Sequence, residues 1–155
     1  MSKINNNIWI GNYVNSADET FLKRHSITHI LNCAHDFDKL PGNLDKDTYT
    51  YFRVPMIEKS FPSHRIEAWL RKGAAKLNQW VKEGHIVLVH CYAGISRSVS
   101  VTIAYLILYK GYTFKNAFKL VKEHRPKMHP FNDYVPVLKS LSTKNITRKI
   151  SRKDK

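Results

Sequence analysis

Two cysteines in 155 residues cannot form a disulfide framework, so nothing calls for an oxidising compartment, and a cytoplasmic or nuclear setting is expected. No apolar run reaches the roughly 20 residues that cross a bilayer. The longest, Val99 to Tyr109, is broken by Ser100 and Thr102, and no membrane span is expected. Met1-Ser2-Lys3-Ile4-Asn5 holds neither a signal-peptide apolar core nor a second-position glycine for myristoylation. There is no internal repeat. The histidines are scattered without metal-ligand spacing, so neither metal nor cofactor is expected. Acidic residues are scarce, with 12 Asp and Glu against 26 Lys and Arg and a net charge of +14. No aspartate stands between Asp47 and Asp133, which leaves Glu58 and Glu67 as the acids around residue 60.

What is present describes one globular domain. Hydrophobic residues make up 43 % of the chain and aromatics 12 %, enough for a single well-filled core at this length. Ile8 to Ile10 reads as a short strand, and Ser16-Ala17-Asp18-Glu19 carries a Ser-x-x-Glu capping box for a short helix through Arg24. Ile27 to Cys33 reads as a buried strand and Tyr49 to Val54 as a third strand. Between them His35 to Asp47, with Pro41-Gly42 and four aspartates, reads as a surface loop. After Pro62-Ser63, Ile66, Trp69, Leu70, Leu77, Trp80 and Val81 recur at helical spacing up to Gly84. Ile86 to Val89 is a fully apolar strand, expected at the centre of a sheet covered on both faces. Ser98 to Lys110 reads as a buried helix. Thr113 caps the next, with Phe114, Ala117, Phe118 and Val121 on one face, and a last helix follows Pro130 through Tyr134, Leu138 and Leu141. Alternating strands and helices predict an α/β fold with a mainly parallel central sheet flanked by helices.

Chemistry concentrates in His90-Cys91-Tyr92-Ala93-Gly94-Ile95-Ser96-Arg97-Ser98. This segment joins the apolar strand to the buried helix, so it reads as a tight loop at a helix N-terminus. Backbone N–H groups turned inward there, together with the positive end of the helix dipole, make an anion cradle. Tyr92, Ala93, Gly94, Ile95, Ser96 and Arg97 are the expected phosphate-binding residues. Cys91 lies at the base, where the same donors stabilise a thiolate. The planar fork of Arg97 can hold two phosphoryl oxygens at once, as lysine cannot.

The segment resembles the signature of the cysteine-based protein tyrosine phosphatases, specifically the small, atypical dual-specificity phosphatases. The resemblance extends to Ile4 through Gly11, Ile27 through Asn32, Ala104-Tyr105-Leu106-Ile107 and Arg125-Pro126, and covers roughly residues 3 to 141. It implies hydrolysis through a phosphocysteine on Cys91, with Arg97 binding the phosphoryl oxygens and Ser98 assisting expulsion of the thiolate. His90 braces the loop. Relatives place the general acid as Pro-x-x-Asp, whereas this chain reads Pro55-Met56-Ile57-Glu58; Glu58 is the assigned acid. Relatives also carry asparagine directly after the proline at position 130. Here Phe131 stands there and Asn132 follows, so either the register shifts by one or the loop is supported differently. Cys33 is most simply a small core residue, yet the wider superfamily offers a second reading, a redox partner that shields the nucleophile.

The loop's variable residues Tyr92, Ala93, Ile95 and Ser96 carry no charge, whereas superfamily members that act on phosphoinositides tend to place lysines there, so the resemblance implies a singly phosphorylated protein side chain, tyrosine or serine/threonine, as substrate. Two rival readings stand beside it. One is a catalytically weak phosphoprotein-binding module, supported by the missing aspartate. The other is an RNA 5′-triphosphatase, whose loop has a different sequence. Residues 1–141 are expected to form the phosphatase domain. Residues 142–155 read as a basic, disordered tail; cations from Lys139 to Lys155 offer contact with an acidic docking surface or nucleic acid.

Overall fold

The computed structural model describes residues 1–153, excepting in the last helix the side chains at 146, 147, 149 and 151–153. Five strands, β1 (Ser2–Lys3), β2 (Ile8–Gly11), β3 (His29–Asn32), β4 (Thr50–Arg53) and β5 (Val87–His90), form one sheet in the order β1-β2-β5-β3-β4. Only β1 runs antiparallel to its neighbour; β2, β5, β3 and β4 are mutually parallel. β5 is central and wholly buried, as its unbroken apolar run requires. Its last residue, His90, is in register with Gly11 on one side and Asn32 on the other. The carboxyl ends of three strands therefore finish level, and the loop that follows Cys91 rises from their midpoint.

One face of the sheet is covered by α2 (Ser63–Lys82), α3 (Arg97–Lys110), α4 (Phe114–His124) and α5 (Tyr134–Lys153). α3 is the innermost of these, with every residue from Arg97 to Ile107 buried, and it touches α2, α4, α5 and the sheet. Gly73 lets α2 lie close on it, since a Cβ there would stand 2.8 Å from a Val101 methyl. The other face carries α1 (Glu19–Arg24) and a smaller core of Leu22, Ile27, Ile30, Leu44, Tyr49 and Leu88. The segment from 35 to 47 is thus more than a surface loop, because Leu44 is buried against that second face.

Two expectations are corrected. The Ser16 capping box does not form: Ser16 sits in a single 3-10 turn and its Oγ donates to Tyr13 O at 2.6 Å. Asp18 caps α1 instead, accepting from Phe21 N at 3.2 Å, because the helix starts two residues later than the box demands. The chain also does not lose structure after Leu141, as α5 continues to Lys153. Polar contacts take over where the apolar pattern ends. Ser142 Oγ accepts from Phe114 N at 3.0 Å, Lys144 Nζ pairs with Glu67 at 2.7 Å, and Asn145 donates to Ile107 O at 3.0 Å. Of the cations from Lys139 to Lys155 to which docking is assigned, Lys149, Arg152, Lys153 and Lys155 have side chains outside the described residues.

Candidate active site

The loop from Cys91 to Ser96 is shaped by where its carbonyls go. Cys91 O accepts from His90 Nδ1 at 3.1 Å, Tyr92 O from Tyr13 N at 3.1 Å, and Ile95 O from His129 N at 2.8 Å. Gly94 O accepts from Arg125 Nε, and Ser96 O from the amide and hydroxyl of Ser100 at 2.8 and 2.7 Å. In a trans peptide the following N–H points opposite its carbonyl. With those carbonyls directed into the protein, the N–H groups of Tyr92, Ala93, Ile95, Ser96 and Arg97 are left to the concave side. Gly94 completes the turn at φ +69°, and a Cβ there would stand 2.5 Å from Gly11 O and from a terminal nitrogen of Arg125. Arg125, buried to 3 % exposure, is a support that sequence reasoning noted only as part of Arg125-Pro126.

The cradle opens into a cleft of about 490 Å³ lined by Asp36, Glu58, Cys91, Tyr92, Ala93, Ile95, Ser96, Arg97, His129 and Phe131. Cys91 lies at its floor, 2 % exposed, with Ser98 Oγ 3.2 Å from its Sγ, within hydrogen-bond reach. His90 is buried, and because a carbonyl only accepts, its Nδ1 carries the hydrogen shared with Cys91 O. Burial lowers its pKa to about 4, so the ring is neutral at physiological pH.

Arg97, on the first turn of α3, reaches back over the loop. Its Nη1 donates to Asp36 Oδ1 and to Met56 O, each at 3.0 Å, while Glu58 Oε1 stands 3.8 Å from Nε. Burial opposes the guanidinium charge, but the Asp36 hydrogen bond, with Cys91 and Glu58 nearby, holds its pKa above the usual value. The Arg97 hydrogen bond in turn keeps Asp36 below the usual carboxylate range. Glu58 faces this cleft, whereas Glu67 is engaged on the helical flank by Lys144 and Arg71. The segment holding Glu58 is pinned by Tyr134, whose hydroxyl donates to Ile57 O at 2.8 Å.

Support beside Pro130 comes from the backbone: Phe131 N donates to Ser96 Oγ at 2.8 Å, and the Phe131 ring forms part of the cleft wall. Neither a register shift nor an asparagine side chain is required. Cys33 follows β3, and its N–H donates to His90 O at 2.7 Å, which places it beside the end of β5. It is fully buried, and burial together with nearby Cys91 pushes its thiol pKa up. Among the described residues no three His, Cys, Asp or Glu cluster as a metal site, and no helix is long and apolar enough to cross a membrane.

Residues 8–144 match the family model described as "Dual specificity phosphatase, catalytic domain". The chain belongs to that family. It is 29 % identical to the dual specificity protein phosphatase Mpk3 of Drosophila melanogaster, over 94 % of this chain and 34 % of that protein. It is 28 % identical to dual specificity protein phosphatase 1B of Arabidopsis thaliana, over 89 % of this chain and 79 % of that one. The chain thus spans about a third of the fly protein's length. Among solved structures human DUSP28 superposes with a TM-score of 0.83, covering 96 % of this chain and 99 % of that one at 23 % identity. The fold is therefore that of a dual-specificity phosphatase catalytic domain.

Proposed function

We propose that this chain hydrolyses phosphate monoesters on protein side chains, phosphotyrosine and phosphoserine/phosphothreonine, through a covalent phosphocysteine on Cys91. The observation that carries the reading is the joint geometry of the cleft. A buried sulfur with a hydroxyl 3.2 Å away lies in a cradle of N–H groups, and the buried Nε of Arg97 has no hydrogen-bond partner there among the described residues. In the first step Cys91 Sγ attacks phosphorus. The S–P bond forms as the P–O bond breaks, and Glu58 delivers a proton to the departing oxygen. The loop amides and Arg97 bind the three non-bridging oxygens as charge shifts. In the second step water attacks phosphorus and gives a proton to Glu58. The S–P bond breaks, and Ser98 O–H stabilises the departing thiolate. Inorganic phosphate leaves and the starting state returns.

The Tyr92 and Phe131 rings on the cleft wall suit a phosphorylated side chain. A reducing compartment, cytoplasm or nucleus, fits a site that depends on a free thiol. Cys33 would serve as a resolving thiol: peroxide oxidises Cys91 to the sulfenic acid, Cys33 displaces water, and a disulfide results. Peptide mapping after mild peroxide that found overoxidised Cys91 and no mixed disulfide would remove this role.

Hydrolysis of a small aryl phosphate against pH, compared among the parent, Cys91→Ser and Glu58→Gln, tests the mechanism. Loss in the serine variant and a collapsed, pH-flattened rate in the glutamine variant are expected. An active glutamine variant beside a dead serine variant removes Glu58 as the acid. An inactive parent that still binds phosphopeptides favours the capture module, for which glutamate at position 58 in place of the relatives' aspartate is the supporting observation.

A further inference from the structure

Asp36 was not among the residues selected from the sequence, yet it makes the shortest ionic contact in the cleft. Its Oδ1 lies 3.0 Å from Arg97 Nη1, and the same nitrogen donates to Met56 O at 3.0 Å. A terminal guanidinium nitrogen carries two hydrogens, so both hydrogens on Nη1 are engaged. Nε is buried without a hydrogen-bond partner among the described residues. Its neighbour Glu58 stands 3.8 Å off, too far for a hydrogen bond. The guanidinium is thus held by one corner while its bidentate edge, Nε with Nη2, is left for a ligand.

We propose that Asp36 is a positioning residue. With Met56 O, it fixes the rotation of the Arg97 fork so that Nε and Nη2 face two phosphoryl oxygens before the substrate arrives. Two acceptors on one nitrogen set both the plane and the direction of a planar cation, which a single contact could not do. Arg97 is a long side chain whose ordering otherwise falls on the binding step. A carboxylate that competed with phosphate would sit on the bidentate edge, and Asp36 does not. The roles of the two acids near Arg97 are thereby separated: Asp36 engages the far corner, and Glu58 stands beside the edge offered to phosphate. The side chain of Asp36 is 43 % exposed, against 9 % for Arg97, so it can be changed without opening the core.

The proposal rests on reading the cleft as a phosphate site, so its test measures binding as well as turnover. Inorganic phosphate is titrated calorimetrically at pH 7 into the parent, Asp36→Ala, Asp36→Asn and Asp36→Glu, alongside kcat and KM for an aryl phosphate. In the alanine variant, phosphate affinity is expected to fall by about tenfold and kcat to fall with it, because the transition state uses the same edge. Asn, which keeps an acceptor and loses the charge, should lie between Ala and the parent. Glu should recover most of the loss, and melting temperatures should be unchanged. Tighter phosphate binding in Asp36→Ala would make Asp36 a competitor and overturn the proposal, as would equal affinity and kcat across the series. Should the alanine variant melt early, the nearly isosteric asparagine carries the comparison. A parent that binds phosphate but hydrolyses nothing removes the phosphatase reading while the binding series still decides the role of Asp36. A parent that binds no phosphate overturns both.

Discussion

Ser98 stands at 3.2 Å from Cys91 Sγ, and the two-step scheme gives that contact a kinetic signature. Removing a donor aimed at developing charge slows the step in which the charge appears. Ser98→Ala should therefore slow hydrolysis of the phosphocysteine by about 10- to 100-fold while leaving its formation nearly intact. Stopped-flow traces should show a burst of phenol from an aryl phosphate, followed by a slow steady state. A uniform loss of both phases would remove Ser98 from the second step. That Cys91, Arg97 and Ser98 come together was legible in the sequence because they fall within eight residues on one loop and helix start, where local geometry settles what they can reach. Asp36 was not legible. It contacts Arg97 across 61 residues, and in a loop holding four aspartates no local pattern selects one. At Phe131 the sequence left two readings open for a related reason: the bond that supports the loop comes from its backbone N–H, which any residue but proline would supply.

At the level of elements, apolar periodicity located α2, α4 and α5, and unbroken apolar runs located α3 and the central strand, while the errors collected at ends. Ser16-x-x-Glu19 matched a capping pattern, but Asp18 took the cap because helix ends are set by competing local bonds within one or two residues. α5 outran its apolar stripe because contacts to α2, α3 and α4 hold its next turn. β1 is only two residues long, too short for periodicity to register. Gly73 is the position where helix packing is most sensitive. A glycine inside a helix is locally unfavourable, yet here it admits Val101, whose branched side chain has little freedom to move aside. Gly73→Ala should destabilise the protein by about 1–3 kcal/mol through overpacking, despite the better helix propensity of alanine. Urea unfolding would read this directly; a stabilised variant would show that α2 shifts freely on α3.

For the whole molecule, pH acts through buried imidazoles. His90 is lowered from 6.5 to about 4 by burial, and His29 to about 4 by burial and by its neighbour His85. Their folded-state pKa values lie below the unfolded ones, so the unfolded chain takes up protons that the folded one refuses. The stability they contribute is fully present above about pH 6.5 and is lost as the pH falls towards 4, amounting to roughly 3 kcal/mol for His90. Below that the slope from these groups vanishes. Urea midpoints at pH 7.5, 6 and 5 should fall in that order, and His90→Asn should flatten the trend. An unchanged midpoint across the range would contradict it.

Arg125 joins parts of the chain that the sequence keeps far apart. Its guanidinium holds the Gly94 carbonyl and also donates to Ser2 Oγ at 2.8 Å, while Gly11, at the end of β2, packs against Gly94 itself. The cradle is therefore a mechanical joint between the sheet edge and the helical flank. Opening the edge strand and loosening the loop become one cooperative event, and the backbone around Gly94 should exchange its hydrogens at a rate governed by the N-terminal strand.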